Sequence, residues 1–126
     1  MDDTVKLLQE CNAGIKMGND AINQVMAHVK SYNLKKALNA CFDEHAALGD
    51  RAHRLLSECG ADTKNVHPMA KVMSDMKIKG RLWVSPTEST VADLMTDGCD
   101  MGIKSITKQL NKYKNASDEA RGIAED

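Results

Sequence analysis

Residue type and spacing narrow the chemistry open to this chain before any fold is assigned. Its cysteines are Cys11, Cys41, Cys59 and Cys99, and no two of them make a C-x-x-C pair. Structural zinc needs clustered ligands and c-type haem needs C-x-x-C-H, so neither is indicated. A di-iron centre in a helical bundle needs an inward glutamate on two helices and an inward Glu-x-x-His on two more. The nearest match is Asp50-x-x-His53, but the apolar seam described below turns Asp50 outward and leaves His53 at the edge. Glu10 lies beside a seam, not on it. Asp93, Asp97 and Asp100 are three and four residues apart, the spacing of a solvated helix face. A calcium loop would need acids at alternate positions and a distal glutamate. No metal ligand set and no cofactor are expected.

The helices that must carry these side chains are readable from apolar period. In a first helix, about 4–30, Leu8, Ile15, Ile22 and Val29 repeat every seven residues. Its companion seam reads Val5, Asn12, Asn19, Met26, so two asparagines replace apolar residues. Gly14 and Gly18 thin this helix, which suggests close approach of a neighbour. A second helix, about 33–59, carries Leu34, Leu38, Cys41, His45, Leu48, Ala52, Leu55 and Cys59 at alternating spacings of 4 and 3. Ser31 or Asn33 caps its start and Gly60 stops it. Pro68 opens a connecting helix, about 68–84, with Met69, Val72, Met73, Met76 and Trp83 as adaptable core filler. Ser85, Pro86 and Glu88 read as a capping box for a long helix, about 86–113. Its expected apolar face is Ala92, Met95, Cys99, Ile103, Ile106, Leu110 and Tyr113. Ser117 begins a last short helix, about 117–126.

A turn as short as 31–33 makes the first two helices antiparallel neighbours. If Val29 faces Leu34, facing residues sum to about 63, and His45 falls opposite Gly18 and Asn19. Polar intrusions in the two seams therefore meet. An unsatisfied buried polar group costs ~1–3 kcal/mol, so a buried His45 bonded to Asn19, with Asn12 one or two turns away, is the expected arrangement. Aligning the starts of the second and long helices sets Cys99 level with His45. Cys99 is then expected in the core, with Gly98 and Gly102 permitting close approach. No lysine or arginine sits on the seams to lower a thiol pKa, and only a His45–Cys99 pairing would bring a base to a thiol. No catalytic residue is assigned.

The whole chain, 1–126, reads as one domain. Its 17 basic and 18 acidic residues leave a formal charge of −1, which offers no field for nucleic acid. Four aromatics and two prolines among 126 residues favour helices over sandwiches. The N-terminus lacks the pattern of a signal peptide and no apolar run spans a membrane, so a cytoplasmic protein with reduced thiols is expected.

The two helices of the hairpin, with Asp43-Glu44-His45-Ala46-Ala47-Leu48-Gly49-Asp50, resemble a group of uncharacterised bacterial ferritin-like proteins. So does Ala92-Asp93-Leu94-Met95-Thr96-Asp97-Gly98-Cys99-Asp100-Met101-Gly102 in the long helix. The resemblance implies an all-α four-helix bundle whose second and third long helices run parallel. Residues 60–85 must then return ~40 Å along the bundle, which a short helix and an extended stretch can do. It also implies a long last helix, whereas ten residues follow from Ser117, so the fourth bundle helix is incomplete or the chain is cut short. The resemblance carries over no metal ligands. A non-enzymatic protein acting through self-association, as a homodimer, or through a protein partner is the leading expectation. A degenerate metal or small-ligand site near His45 is the alternative, and a thiol-based redox or stress sensor the third. Val25, Met26, Ile103 and Ile106 would line the uncovered groove unless the connecting helix and Trp83 fold into it.

Overall fold

The computed structural model describes residues 2–61, 77–85 and 87–126. Helices α1 (Asp2–Met26) and α2 (Tyr32–Glu58) form a hairpin. Residues 77–84 are helical and are termed α3. Helix α4 (Glu88–Lys112) and the short α5 (Asp118–Glu125) follow. Among the described residues there is no strand. Pro68, Met69, Val72, Met73, Met76 and Pro86 lie outside the described residues.

Local chemistry sets most of the helix ends. Ser31 is extended, and its side chain accepts the Leu34 amide. Gly60 has a φ of 71°, a left-handed conformation that costs glycine nothing. There the Ala61 amide donates to the Leu56 carbonyl and the Gly60 amide to Ser57, closing α2 in a Schellman motif. Ser117 caps α5 through the Ala120 amide. The capping box expected at Ser85 and Glu88 is not the one formed. Thr87 is the cap, accepting from the Thr90 amide. The Glu88 carboxylate reaches away to the α1–α2 turn, where one oxygen accepts the Lys30 and Ser31 amides at 2.7 Å each. Helix α1 correspondingly ends at Met26, short of residue 30, and the amides that follow close onto Val25 and Met26.

The opposite end of α4 is held in the same way. Asp3 accepts the Asn115 amide and Thr4 accepts the Ser117 amide. Contacts at both ends make α4 antiparallel to α1 and therefore parallel to α2. Helices α2 and α4 both pack on α1, yet no Cα of one lies within 8 Å of a Cα of the other. Helix α5 touches α1, α2 and α4 at one end of the gap between them.

Among the described residues the core is split into two clusters. Leu7, Leu8, Cys11, Ala52, Leu56, Ala120 and Ile123 form one beneath α5. Ile22, Val25, Val29, Leu38, Ile78, Leu82, Val91 and Leu94 form the other at the α3 end. Three expectations change here. Val25 is fully buried and Met26 and Ile106 half-buried, so of the expected groove residues only Ile103 is exposed. Of the expected α4 face, Met95, Ile106, Leu110 and Tyr113 pack against the two clusters, while Ala92, Cys99 and Ile103 are exposed, and Thr90, Val91 and Leu94 are the residues buried at its start, where Glu88 is anchored. Trp83 is 89% exposed, while Ile78 and Leu82 of the same helix enter the core.

Candidate functional site

Between the two clusters the hairpin is polar. Helix α2 presents Cys41 and His45 one turn apart, a separation that stacks side chains on one face. Helix α1 presents Gly18 and Asn19 to them. His45 Nδ1 lies 3.1 Å from Asn19 Oδ1, and His45 Nε2 lies 3.9 Å from Cys41 Sγ. Asn19 Nδ2 donates to the Phe42 carbonyl at 3.4 Å. That bond turns Oδ1 toward the ring, so Nδ1 donates to it, and in the neutral ring Nε2 is the acceptor that faces the thiol. A Cβ placed on Gly18 would lie 3.2 Å from His45 Cε1, so the ring occupies the space that glycine leaves.

His45 is half-buried, not enclosed as expected, because the backbones of α2 and α4 do not approach closely over it. Burial raises the Cys41 thiol pKa above its ordinary value, with the Cys99 thiol and Glu44 adding to the shift. The resting thiol is therefore protonated. Cys99 is exposed, not in the core as expected. Gly98 and Gly102, expected to allow close packing, face open space: a methyl group added at either would meet nothing within 4 Å, and the same holds at Gly14. For the two α4 glycines and Cys99 the physical reason is shared, since the middle of α4 stands off from its neighbours. The pairing of His45 with a thiol thus falls to Cys41, and not to Cys99. The i, i+4 spacing of Cys41 and His45 is the signal the sequence offers, masked because a seam position makes Cys41 look like a small apolar residue.

On the other side of the hairpin lies an open groove of about 530 Å³, lined by Asn12, Asn19, Asn23, Phe42, Asp50 and His53 among others. Asp50 and His53 are both exposed on it. Asn12 is 5% exposed, and its Nδ2 has no hydrogen-bond partner among the described residues. It does not join the His45–Asn19 pair. Cys11 is buried near Glu10, and burial first, then that carboxylate, push its pKa to about 11. No group of three His, Cys, Asp or Glu side chains is placed to hold a metal among the described residues. None of the described helices is long and apolar enough to cross a membrane. No family model, curated protein or solved structure matches this chain.

Proposed function

We propose that the chain is a non-enzymatic helical-bundle protein of ferritin-like type, and that it works by self-association as a homodimer through α4. The antiparallel α1–α4 pair, the parallel α2 and α4, and α5 at one end of the gap support the bundle reading. The observation that carries the self-association is the middle of α4. Residues 96–105 are exposed throughout, with Met101 at 66% and Ile103 at 64%. Large apolar side chains left exposed on this stretch of α4 offer a surface that a partner can cover.

Charge along α4 favours a second copy as that partner. Asp93, Asp97 and Asp100 occupy its first half, and Lys104, Lys108 and Lys112 its second. Asp93 and Asp97 are paired with Arg81 of α3 within the chain, so the pairing between copies falls to Asp100: two such helices crossing antiparallel about Gly102 set Asp100 of each against Lys104 of the other, the self-complementarity that a two-fold interface requires. Sedimentation equilibrium is expected to show a dimer below about 100 μM. Met101→Glu weakens it at least tenfold, and so does Asp100→Lys. Adding Lys104→Asp to Asp100→Lys restores it. A monomer at that concentration, or a dimer indifferent to both single variants, overturns the reading.

A second reading, a small polar ligand in the groove on the far side of the hairpin, is favoured by the buried, unpartnered Asn12 Nδ2. A buried donor without an acceptor costs more than the same donor bonded to a ligand oxygen. Native mass spectrometry of the purified chain is expected to show a bound small molecule that Asn12→Leu loses. A wild-type chain carrying no added mass, or one whose added mass survives in Asn12→Leu, would count against it.

A further inference from the structure

Cys41, His45 and Asn19 stand in the order thiol, imidazole, amide oxygen, at 3.9 and 3.1 Å. These are the parts of a nucleophile, a base and the group that orients the base. Their setting decides which chemistry they suit. Cys41 is ten residues into α2, where backbone amides are already committed to the helix. No pair of free N–H groups faces the sulfur, so an acyl oxyanion would find no donors there. Attack on a disulfide needs none, because its charge develops on the departing sulfur.

We propose that Cys41, His45 and Asn19 form a thiol-exchange site that takes a low-molecular-weight disulfide and keeps one half of it as a mixed disulfide on Cys41. The Cys41 proton passes to His45 Nε2 as Sγ attacks one sulfur of the disulfide. The Sγ–S bond forms, the disulfide S–S bond breaks, and its electron pair leaves on the second sulfur. That sulfur takes the proton back from His45 and departs as a thiol. Two-electron oxidation of Cys41 is balanced by reduction of the departing half. Asn19 is a positioning residue that holds the Nδ1–H tautomer.

Cys99 does not resolve the adduct. A disulfide spans Cα atoms ~4.4–6.8 Å apart, and α2 and α4 nowhere come within 8 Å. The mixed disulfide therefore persists until an external thiol reverses it. Glu44 stands three residues after Cys41 on the same face of α2, so an anionic partner would meet its carboxylate there. A cationic disulfide such as cystamine is the preferred substrate over glutathione disulfide.

The experiment incubates the wild-type chain with cystamine and follows the adduct on the Cys41 peptide by mass spectrometry. The same reaction in denaturing urea gives the unassisted rate. The folded chain is expected to react at least about tenfold faster, and faster with cystamine than with glutathione disulfide. His45→Gln is expected to lose about 100-fold, in line with general-base contributions. Asn19→Ala is expected to slow the reaction and to shift the imidazole 15N signals of His45 away from the Nδ1–H tautomer. A folded rate no greater than the urea rate overturns the proposal without recourse to any variant. So does His45→Gln reacting as fast as wild type, or an acyl adduct on Cys41 formed from an activated ester in preference to the disulfide.

Discussion

Gly18 and Gly14 lie one turn apart on α1, yet their substitution is expected to have opposite effects. A methyl group at position 14 meets nothing within 4 Å, so Gly14→Ala gains helix propensity alone and stabilises the fold by about 0.5–1 kcal/mol. At position 18 it meets His45 Cε1 at 3.2 Å and Nδ1 at 3.4 Å. The ring is held by Asn19 and cannot yield without lengthening that bond, so Gly18→Ala falls about 1–2 kcal/mol below Gly14→Ala in urea unfolding. Cys11 supplies a second test at this scale. Its folded pKa of about 11 stands above the ordinary thiol value of 9.0 because burial, and then Glu10, disfavour the thiolate. The unfolded chain therefore releases this proton first. The stabilisation is complete below pH 9 and is lost as pH climbs toward 11, a fall of about 2–3 kcal/mol. Cys11→Ala, weaker at neutral pH, is expected to show a correspondingly flatter decline across that interval.

Two side-chain anchors align α4 with α1, one at each end. Glu88 holds the α1–α2 turn, and Asp3 with Thr4 holds the α4–α5 turn. Hydrogen bonds to a charged group contribute about 1.5–3 kcal/mol. Glu88→Ala is expected to cost about 2 kcal/mol and to speed hydrogen exchange at the Lys30 and Ser31 amides specifically. Glu88→Gln keeps an acceptor and costs about half as much. The cap is separable from the anchor: Thr87→Ala loses about 1 kcal/mol, whereas Ser85→Ala stays within about 0.5 kcal/mol of wild type. Equal losses at 85 and 87 would return the helix start to Ser85.

Among the described residues two small cores are joined by a polar waist. Stability is consequently uneven along α4. Val91 and Leu94 are buried with Leu38 and Ile22 at one end, and Ile106, Leu110 and Tyr113 lean on the α5 cluster at the other. Between them, residues 96–105 are exposed throughout. Native-state hydrogen exchange is expected to protect the amides of 91–95 more strongly than those of 99–105, the middle of the helix opening before its ends. In a concentrated sample, where the proposed dimer covers the waist, the difference should shrink. Uniform protection along α4 at low concentration would contradict the divided core.

Ser31, Gly60 and Ser117 were legible because a cap is a contact between a residue and backbone groups within a few positions. Residue order alone fixes that geometry. The meeting of His45 with Gly18 and Asn19 was legible for a related reason: a short turn sets the register of the hairpin, so a sum near 63 suffices. Residue order also determined the helical period of α4, but not which stretches of its face pack. Those lie toward its two ends, where the anchors Glu88 and Asp3 reach partners 57 and 112 residues away. From the stand-off of the middle of α4 between those anchors follow the exposure of Cys99, the open glycines at 98 and 102, and the half-open setting of His45. The partner of His45 was present in the sequence as Cys41, four residues back. Only the tertiary structure decided that the thiol faces the ring beside an open waist, because side-chain pairing depends on which flank the neighbouring helix leaves uncovered.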